Sequence, residues 1–168
     1  MDSDELKRLY LTGERNFHRV NLSGADLRKV QLMRADLLKA NLRNANLSCA
    51  NLTKVNLYQA ILCKSDLRQT TLNEAILHEA DLTGANLHRA SLIKADLCEA
   101  NLKGANLNHT NLGAANLKGA ALNHANLSWA NLRRADLNHA HLEGANLSGA
   151  KFCNTIMPDG SIRNDDCY

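Results

Sequence analysis

Aromatic residues are scarce in this 168-residue chain, which has two Phe, one Trp and three Tyr. It also has no run of 18 apolar residues, which excludes a membrane-spanning helix, and we expect no membrane partner. Residues 1–5 lack the basic and then apolar pattern of a secretory signal, so the sequence predicts a cytoplasmic protein. The length fits a single domain.

The chain also lacks the residue groupings that enzymes need. No nucleophile, base and orienting group converge in the pattern, and no glycine-rich loop follows a predicted strand. We therefore expect no catalytic residues, no enzymatic activity and no bound cofactor.

What the chain has instead is a five-residue period. A Leu or Phe stands at every fifth position from Phe17 to Phe152, which makes 28 units, and most have a small residue, usually Ala, two places earlier. Residues 25–29 (Ala-Asp-Leu-Arg-Lys) and 105–109 (Ala-Asn-Leu-Asn-His) are typical units. Neither an amphipathic helix nor an alternating strand has this period. A short fixed period indicates a repeat architecture.

The repeated Ala-(Asp/Asn)-Leu-x-x unit, from about residue 15 to residue 154, resembles the pentapeptide repeat proteins. The resemblance implies an all-β fold, a right-handed quadrilateral β-helix in which each unit forms one side and four units close a rung. Twenty-eight sides would make seven rungs, about 34 Å tall at the usual strand spacing. It also implies that the Leu and the small residue face the axis while the next two residues face water. Residues twenty apart then stack on one face.

The predicted interior is filled. Stacked rungs bury a leucine ladder that no single rung can bury alone, and this leaves no cavity for a substrate. Departures from Ala at the small position, such as Val20, Val30, Val55, Ser65, Thr70 and Thr110, stay compact. On the face centred on Leu22, glycines recur at positions 24, 84, 104 and 144, which indicates either a flat surface or turn geometry alone.

The N-terminal segment, residues 1–14, departs from the repeat. We expect a helix over residues 3–13, which Ser3 or Asp2 caps and Gly13 stops. An open β-helix end exposes leucines and strand edges, so the helix either covers the first rung or contributes to a dimer contact. Its apolar stripe consists of Leu6, Leu9 and Tyr10.

The C-terminal segment, residues 155–168, also departs from the repeat. After Phe152 the pattern breaks into a turn around Pro158 and a polar tail, which we expect to fold over the other end of the column. The apolar residues available for this cover are Ile156, Met157 and Ile162. Because either end can instead abut a second copy, the protein is predicted to be a monomer or an end-to-end homodimer.

Charge is unevenly distributed. Residues 15–154 contain 17 Lys and Arg against 10 Asp and Glu, whereas the two terminal segments are net acidic. Cations concentrate on one face, hereafter the basic face, on which Glu74 is the only predicted acid. Its central residues are Leu32, Leu52, Leu72, Leu92, Leu112, Leu132 and Phe152. Its cations are Arg34, Lys54, Lys94, Arg133, Arg134 and Lys151. They form either a partner surface or a solvated face that keeps the column soluble.

Trp129 is the one large aromatic residue expected outside the column. It is predicted to lie one rung above His109 and two above Arg89. An exposed Trp beside cations is a common partner anchor. The alternative is that the C-terminal tail covers it.

The seven His do not predict a metal site. His109, His124 and His139 are 15 residues apart and fall on different corners. His88 and His109 share one face on adjacent rungs, but two imidazoles without a third ligand make a poor zinc site.

The five Cys give one possible pair. Cys153 and Cys167 can join if the tail folds back, although a cytoplasmic protein normally keeps its thiols reduced. Cys49, Cys63 and Cys98 lie on different predicted faces and cannot pair.

The sequence thus predicts a rigid, non-catalytic scaffold whose outward residues bind a macromolecule, with a protein as the favoured partner. The alternative is a basic-face binder of nucleic acid or of another anionic partner. The family resemblance adds a third hypothesis, because some pentapeptide repeat proteins imitate duplex DNA and occupy the DNA-binding surface of DNA gyrase. That mechanism needs acidic rows, so the basic shaft disfavours it. Residues 157–161 are similar to the endings of cyanobacterial members.

Overall fold

The chain winds into a column in which each five-residue unit lies against the unit twenty positions later. The computed structural model describes residues 1–167, so Tyr168, the last residue of the predicted tail, lies outside the described residues. Parallel bridges join residues twenty apart along the whole column, from the pair Asn16 and Asp36 to the pair Asp136 and Ile156. Four units therefore complete one circuit, and residues twenty apart are vertical neighbours.

Three regular elements lie outside this pattern of isolated bridges. Helix α1, Ser3–Leu11, precedes the column. Strands β1, Thr155–Ile156, and β2, Ile162–Arg163, form an antiparallel pair after it. Within residues 1–167, no helix has both the length and the apolar character needed to cross a membrane.

Hydrogen bonding explains why the five-residue unit can repeat. In residues 86–90 every backbone N–H has an acceptor, and one acceptor is the side chain of Asn86. The acceptors in chain order are Ser65 O (2.9 Å), Asn106 O (2.7 Å), Asn86 Oδ1 (3.2 Å), Asn108 O (3.1 Å) and Leu87 O (2.9 Å). Where Ser91 replaces this Asn, Oδ1 of Asn73 accepts from the N–H of Ile93 at 3.0 Å instead. The Asn or Asp before most leucines thus satisfies an N–H that neighbouring rungs leave free.

A tight turn closes each unit, and the second residue after the Leu has a positive φ. In residues 86–90 the N–H of Ala90 donates to the carbonyl of Leu87 at 2.9 Å, and Arg89 has φ 57°. Twenty-two non-glycine residues and six glycines hold this conformation along the column. The six glycines include Gly24, Gly84, Gly104 and Gly144. Turn geometry therefore accounts for the glycines on the face centred on Leu22.

Exchanging Gly and Ala at this turn position is expected to change stability in opposite directions. Gly104 has φ +63°, and a Cβ on it would meet nothing within 4 Å, so Gly104→Ala adds backbone strain alone. Ala114 has φ 56°, and Ala114→Gly relieves that strain. Strain of about 1–2 kcal/mol, partly offset by the larger unfolded-state entropy of Gly, leaves roughly 1 kcal/mol in each direction. Urea denaturation measures both variants, and changes of equal sign would contradict the turn geometry.

The Leu and small positions face the axis, as the sequence predicts. Central residues from Phe17 to Leu137 are at most 2% exposed, and the intervening alanines join the same buried cluster. In the last circuit Leu142 and Leu147 are only half-buried, because no further rung lies on them. The axis is thus occupied by side chains, and binding chemistry is left to the outside of the column.

Polar residues at the small position differ in whether they find a partner. The hydroxyls of Thr70, Thr110 and Thr155 each donate to the carbonyl of the Leu 23 positions earlier, at 2.8, 2.8 and 2.7 Å. Among the described residues, Ser65 Oγ is a buried hydroxyl oxygen with no hydrogen-bond partner. Its desolvation is therefore uncompensated.

Ser65→Ala is expected to raise the free energy of unfolding by about 1 kcal/mol or more, because it removes a buried polar atom that has no partner. Thr70→Val is the matched control, since it keeps the side-chain shape and loses the bond to Leu47, at a cost of about 1 kcal/mol. Thermal and urea denaturation measure both changes. A Ser65→Ala protein less stable than the parent would contradict this account of the interior.

Helix α1 is capped by Asp2, one of the two caps that the sequence predicts. Oδ1 of Asp2 accepts hydrogen bonds from the N–H groups of Glu5 at 2.8 Å and Asp4 at 3.0 Å. The bond from the N–H of Glu5 is the main cause of the lowered pKa of Asp2. The acidic first turn also suits the positive end of the helix dipole.

The helix ends at Leu11, two residues before the predicted end at residue 13. Gly13 then adopts φ +101°, a conformation that glycine favours. Leu6 is completely buried in the same cluster as Phe17, and the Tyr10 hydroxyl donates to the carbonyl of Met33 at 3.1 Å. The apolar side of α1 thus packs on the N-terminal end of the column.

Candidate functional site

The cations of the basic face lie outside the column but do not form an unbroken stripe. Lys54 Nζ lies 3.3 Å from Glu74 Oε2, so this pair neutralises part of the row. Ala114 leaves a gap between Lys94 and Arg134, because its methyl group is much shorter than either neighbour. The complete vertical row is Arg34, Lys54, Glu74, Lys94, Ala114, Arg134 and Asn154. The part of the row from Arg34 to Lys94 therefore contains an ion pair, whereas the part from Lys94 to Asn154 contains a gap at Ala114.

The C-terminal tail folds back onto the basic face. Cys153 and Cys167 form a disulfide with their Cα atoms 4.8 Å apart. The N–H of Asp166 donates to the carbonyl of Phe152 at 2.8 Å, and the N–H of Phe152 donates to Asp166 Oδ2 at 2.9 Å. Arg133 donates from its guanidinium to the carbonyl of Asp166 at 2.9 and 3.1 Å. Arg133 thus holds the tail rather than standing free.

This return of the tail corrects two expectations and decides one that the sequence left open. Glu74 is not the only acid on the basic face, because the disulfide brings Asp166 beside Arg133. The disulfide itself is present, although the predicted cytoplasmic location disfavours it. Ile162 is 64% exposed on strand β2 and so does not cover the end of the column, whereas Ile156 and Met157 are half-buried.

The returning tail also creates a surface cleft of about 460 Å³ on the basic face. Residues that line it include Lys94, Ala114, Arg134 and the two cysteines of the disulfide. The prediction that the interior contains no cavity concerns the axis, and this cleft lies outside it. A count of repeat positions could not find the cleft, because one of its walls lies outside the repeat.

Trp129 is exposed, and residues 155–167 of the tail leave most of it uncovered. Its relative exposure is 59%, and its ring stacks with that of His109 at a centroid distance of 6.2 Å and 10° between planes. His109 in turn meets His88 edge-on at 5.9 Å. On the other side, a Cβ at Gly149 would lie 2.7 Å from Trp129 Cδ2, so the ring needs the glycine there. The predicted stacking of Trp129 on His109 is confirmed.

Lys151 lies apart from the other cations of the basic face, in the last circuit. It is exposed, and its backbone bridges to Asn131 one circuit below. Arg34 is exposed at the opposite end of the same face. Of the six predicted cations, the structure therefore brings only Lys94, Arg133 and Arg134 together around one feature, the cleft.

A second group of titratable side chains lies on another face and was missed by the sequence analysis. Possible ligand atoms of His78, Glu79 and Glu99 lie within 4.8 Å of one another. Glu79 accepts hydrogen bonds from Gln59 Nε2 at 2.5 Å and from the Tyr58 hydroxyl at 3.2 Å. These bonds, that of Gln59 first, lower the pKa of Glu79. The feature of the sequence that indicates this group is the twenty-residue spacing of Glu79 and Glu99.

This second group has the donor types of a divalent-cation site but not its usual protection. Imidazole and carboxylate ligands suit zinc, which most often takes four ligands. Glu79 and Glu99 are exposed, and Glu79 is already engaged by two neighbours. Nearby, burial raises the pKa of the Cys98 thiol, which makes it a poorer thiolate ligand. The group therefore carries no metal assignment.

Comparisons with known proteins agree with the five-residue period. The family model for pentapeptide repeats matches residues 16–48, 50–89, 80–119 and 120–157. HetL from the cyanobacterium Nostoc sp. strain PCC 7120, described as involved in heterocyst differentiation regulation, is 34% identical; the match covers 97% of this chain and 100% of HetL, with a TM-score of 0.31. The pentapeptide repeat protein alr5209 from Nostoc PCC 7120 is 38% identical over 60% of this chain and 80% of its own, with a TM-score of 0.57. Rfr23 from the cyanobacterium Cyanothece 51142 is 32% identical over 92% and 98%, with a TM-score of 0.27. The comparison with curated proteins finds no match.

Proposed function

The chain belongs to the pentapeptide repeat family, and from this premise we propose that it is a rigid, non-catalytic scaffold that binds a macromolecular partner, with a protein as the favoured partner. Proteins of this family form right-handed quadrilateral β-helices and generally serve as structural or interaction scaffolds. The proposal assigns recognition to outward side chains and assigns no residue to catalysis.

The observation that carries this proposal is the filled axis. Because leucines and alanines occupy the interior, a recognised group has to lie on the outside of the column. Hydrogen bonds between circuits fix the spacing of the outward side chains, which supports a preorganised binding surface. The predicted partner surface comprises Arg34, Lys54, Lys94, Arg133, Arg134, Lys151 and Trp129.

We propose seven rungs over residues 15–154, with residues 1–14 as a cap at one end and residues 155–168 as a cap or tail at the other. The bridges between residues twenty apart support this rung count, and the buried Leu6 supports the role of α1. The half-buried Leu142 and Leu147 leave apolar surface at the C-terminal end. The oligomeric state, monomer or end-to-end homodimer, stays a prediction that sedimentation analysis can test.

The cytoplasmic location also stays a prediction. The disulfide between Cys153 and Cys167 is in tension with it, because disulfides persist mainly in oxidising compartments. Alkylation of free thiols in intact source cells, followed by mass spectrometry, measures the state of the pair. A fully reduced pair agrees with the cytoplasmic prediction, and an oxidised pair contradicts it.

Cross-linking in cells that produce the protein, followed by mass spectrometry, tests the scaffold proposal. Binding to the captured partner is then compared between two fourfold substitutions to Glu. The basic-face variant changes Arg34, Lys54, Lys94 and Arg134. The control changes Arg19, Lys39, Lys64 and Lys103, which are exposed on the two faces that carry neither the basic row nor Trp129.

We expect one captured protein whose binding falls at least tenfold in the basic-face variant and stays unchanged in the control, since rim charges act through local complementarity. Trp129→Ala is expected to weaken the same complex, as an exposed aromatic anchor would. If no macromolecule is captured, the scaffold proposal is wrong. If both fourfold variants bind like the parent, the partner surface lies elsewhere.

Binding of nucleic acid or another anionic partner is the second candidate function. Lys94 and Arg134 support it, because neither has an ion-pair partner within residues 1–167. Such binding should weaken steeply between low and moderate salt as counterions are released. Complex formation that is insensitive to salt, or that survives the fourfold basic-face variant, would exclude it.

Modulation of DNA gyrase stays disfavoured as a third candidate. Imitation of duplex DNA requires acidic rows, whereas the shaft has 17 basic against 10 acidic residues. We expect no effect of a large excess of the protein on gyrase supercoiling. Inhibition or protection in that assay would revive this candidate.

A further inference from the structure

Two cations that line the cleft lack a direct partner, although the Asp166 carboxylate lines the same cleft. Within residues 1–167, the side chains of Lys94 and Arg134 have neither an ion-pair nor a hydrogen-bond partner. By contrast, Lys54 in the same row is paired with Glu74 at 3.3 Å. Two positive charges that line one cleft without a direct partner attract an anion.

A gap in the vertical row separates these two cations. Ala114 stands between Lys94 and Arg134 in the vertical row, and Gly113 beside it has no side chain at all. Residues two circuits apart stand about 9.6 Å apart at the usual strand spacing of about 4.8 Å. This backbone spacing, with no long side chain between, leaves space beside the column for a phosphate group, which charge-assisted hydrogen bonds of about 2.7–2.9 Å to the ammonium and the guanidinium would hold.

The other charged groups of the cleft are occupied in holding its wall. Arg133 donates to the carbonyl of Asp166, and the carboxylate of Asp166 accepts from the N–H of Phe152 at 2.9 Å. The Asp166 carboxylate is therefore held in place at the wall of the cleft, where it keeps its negative charge. The disulfide and Ile93 add apolar surface to the lining.

We propose that this cleft binds a small phosphate monoester, with Lys94 and Arg134 as the phosphate ligands. Arg offers the planar donor fork that matches phosphate oxygens, and Lys supplies a point charge. The organic part of the ligand packs on Ile93 and the disulfide. The volume of about 460 Å³ lies within the usual range of small-molecule sites. The site goes beyond the scaffold role because it needs no macromolecular partner.

Titration of the full chain with phenyl phosphate, followed by amide NMR shifts, tests this site. We expect the largest shifts at Gly113 and Ala114 and at least tenfold weaker binding of inorganic phosphate, which lacks the apolar part. Lys94→Ala and Arg134→Ala should each weaken binding at least tenfold, as loss of a charged hydrogen bond does. Lys54→Ala is the control from the same row and should leave the affinity unchanged.

Ala114→Glu is the most direct test of the site, since it places a carboxylate between the two cations. The fold should tolerate it, because Glu74, Glu79 and Glu99 occupy the equivalent turn position with φ 56–57°; urea denaturation verifies this. Binding of phenyl phosphate should be abolished, whereas Ala114→Gln, of equal size without the charge, should retain more of it.

Three results would overturn the site. They are wild-type affinity in Ala114→Glu, equal binding by the Glu and Gln variants, and amide shifts spread over all four faces. The scaffold proposal survives any of them, because its own test uses a macromolecular partner and the fourfold control variant.

Discussion

Leu37→Ala is expected to lower the free energy of unfolding by about 4 kcal/mol, because it deletes buried methyl groups and leaves a cavity on the axis. Leu37 is 0% exposed in the core, whereas Leu38, the next residue, points outward and is half-buried. Leu38→Ala is therefore expected to cost about 1 kcal/mol or less. The two variants delete the same atoms from adjacent residues, so the difference between them reports the direction of each side chain.

Urea denaturation followed by circular dichroism measures both variants. The slope of the transition should be compared as well, because repeat proteins can unfold in parts. If Leu38→Ala costs as much as Leu37→Ala, or more, the assignment of inward positions every five residues is wrong.

Loss of the disulfide between Cys153 and Cys167 is expected to destabilise the docked tail by about 3 kcal/mol, the value for a closed loop of about 15 residues. The Asp166 N–H, which donates to Phe152 at 2.8 Å, reports this change directly. Its protection from hydrogen exchange should fall about a hundredfold in the double variant Cys153→Ala, Cys167→Ala, if exchange follows local opening.

Cys49→Ala is the control for the disulfide variant, because Cys49 is a free, exposed cysteine on the shaft. It should leave the protection of Asp166 unchanged. A double variant that keeps the parent's protection at Asp166 would mean that hydrogen bonds and Arg133 suffice to hold the tail.

The column was predictable because every five-residue unit meets the same structural requirements with the same types of residue. The Leu and the small residue fill the axis, the Asn or Asp satisfies one N–H, and the turn residue accepts a positive φ. Only the first of these requirements restricts side-chain size strongly. This explains why the five-residue period is strict while the outward positions vary.

The tail was not predictable from the same rule, because its contacts occur once. The bonds between Asp166 and Phe152, and those from Arg133, join residues that have no fixed spacing in the repeat. The five-residue period predicted that Arg133 is one of the free cations, whereas in the structure Arg133 holds the tail. The cleft depends on this fold-back and was hidden for the same reason.

The group of His78, Glu79 and Glu99 was missed for a different reason. Its members satisfy the twenty-residue rule, and His78 precedes Glu79 directly, so the sequence did contain the signal. The spacing of the histidines alone does not reveal a group that mixes one imidazole with two carboxylates. The vertical register of Glu79 and Glu99, with His78 next to Glu79, is the pattern that predicts it.

Oxidative cross-linking between Cys49 and an introduced cysteine tests the central claim that residues twenty apart are vertical neighbours. Cys49 Sγ already lies 3.4 Å from Gln69 Oε1, and a separation of about 4.8 Å between stacked Cα atoms suits a disulfide. Glu74→Cys is the matched control, because it holds the same turn position with a similar φ but lies on the next face. A disulfide to Cys49, seen by mass spectrometry of proteolytic fragments, is expected in Gln69→Cys and not in Glu74→Cys. Equal cross-linking in both variants, or cross-linking only in Glu74→Cys, would contradict the central claim.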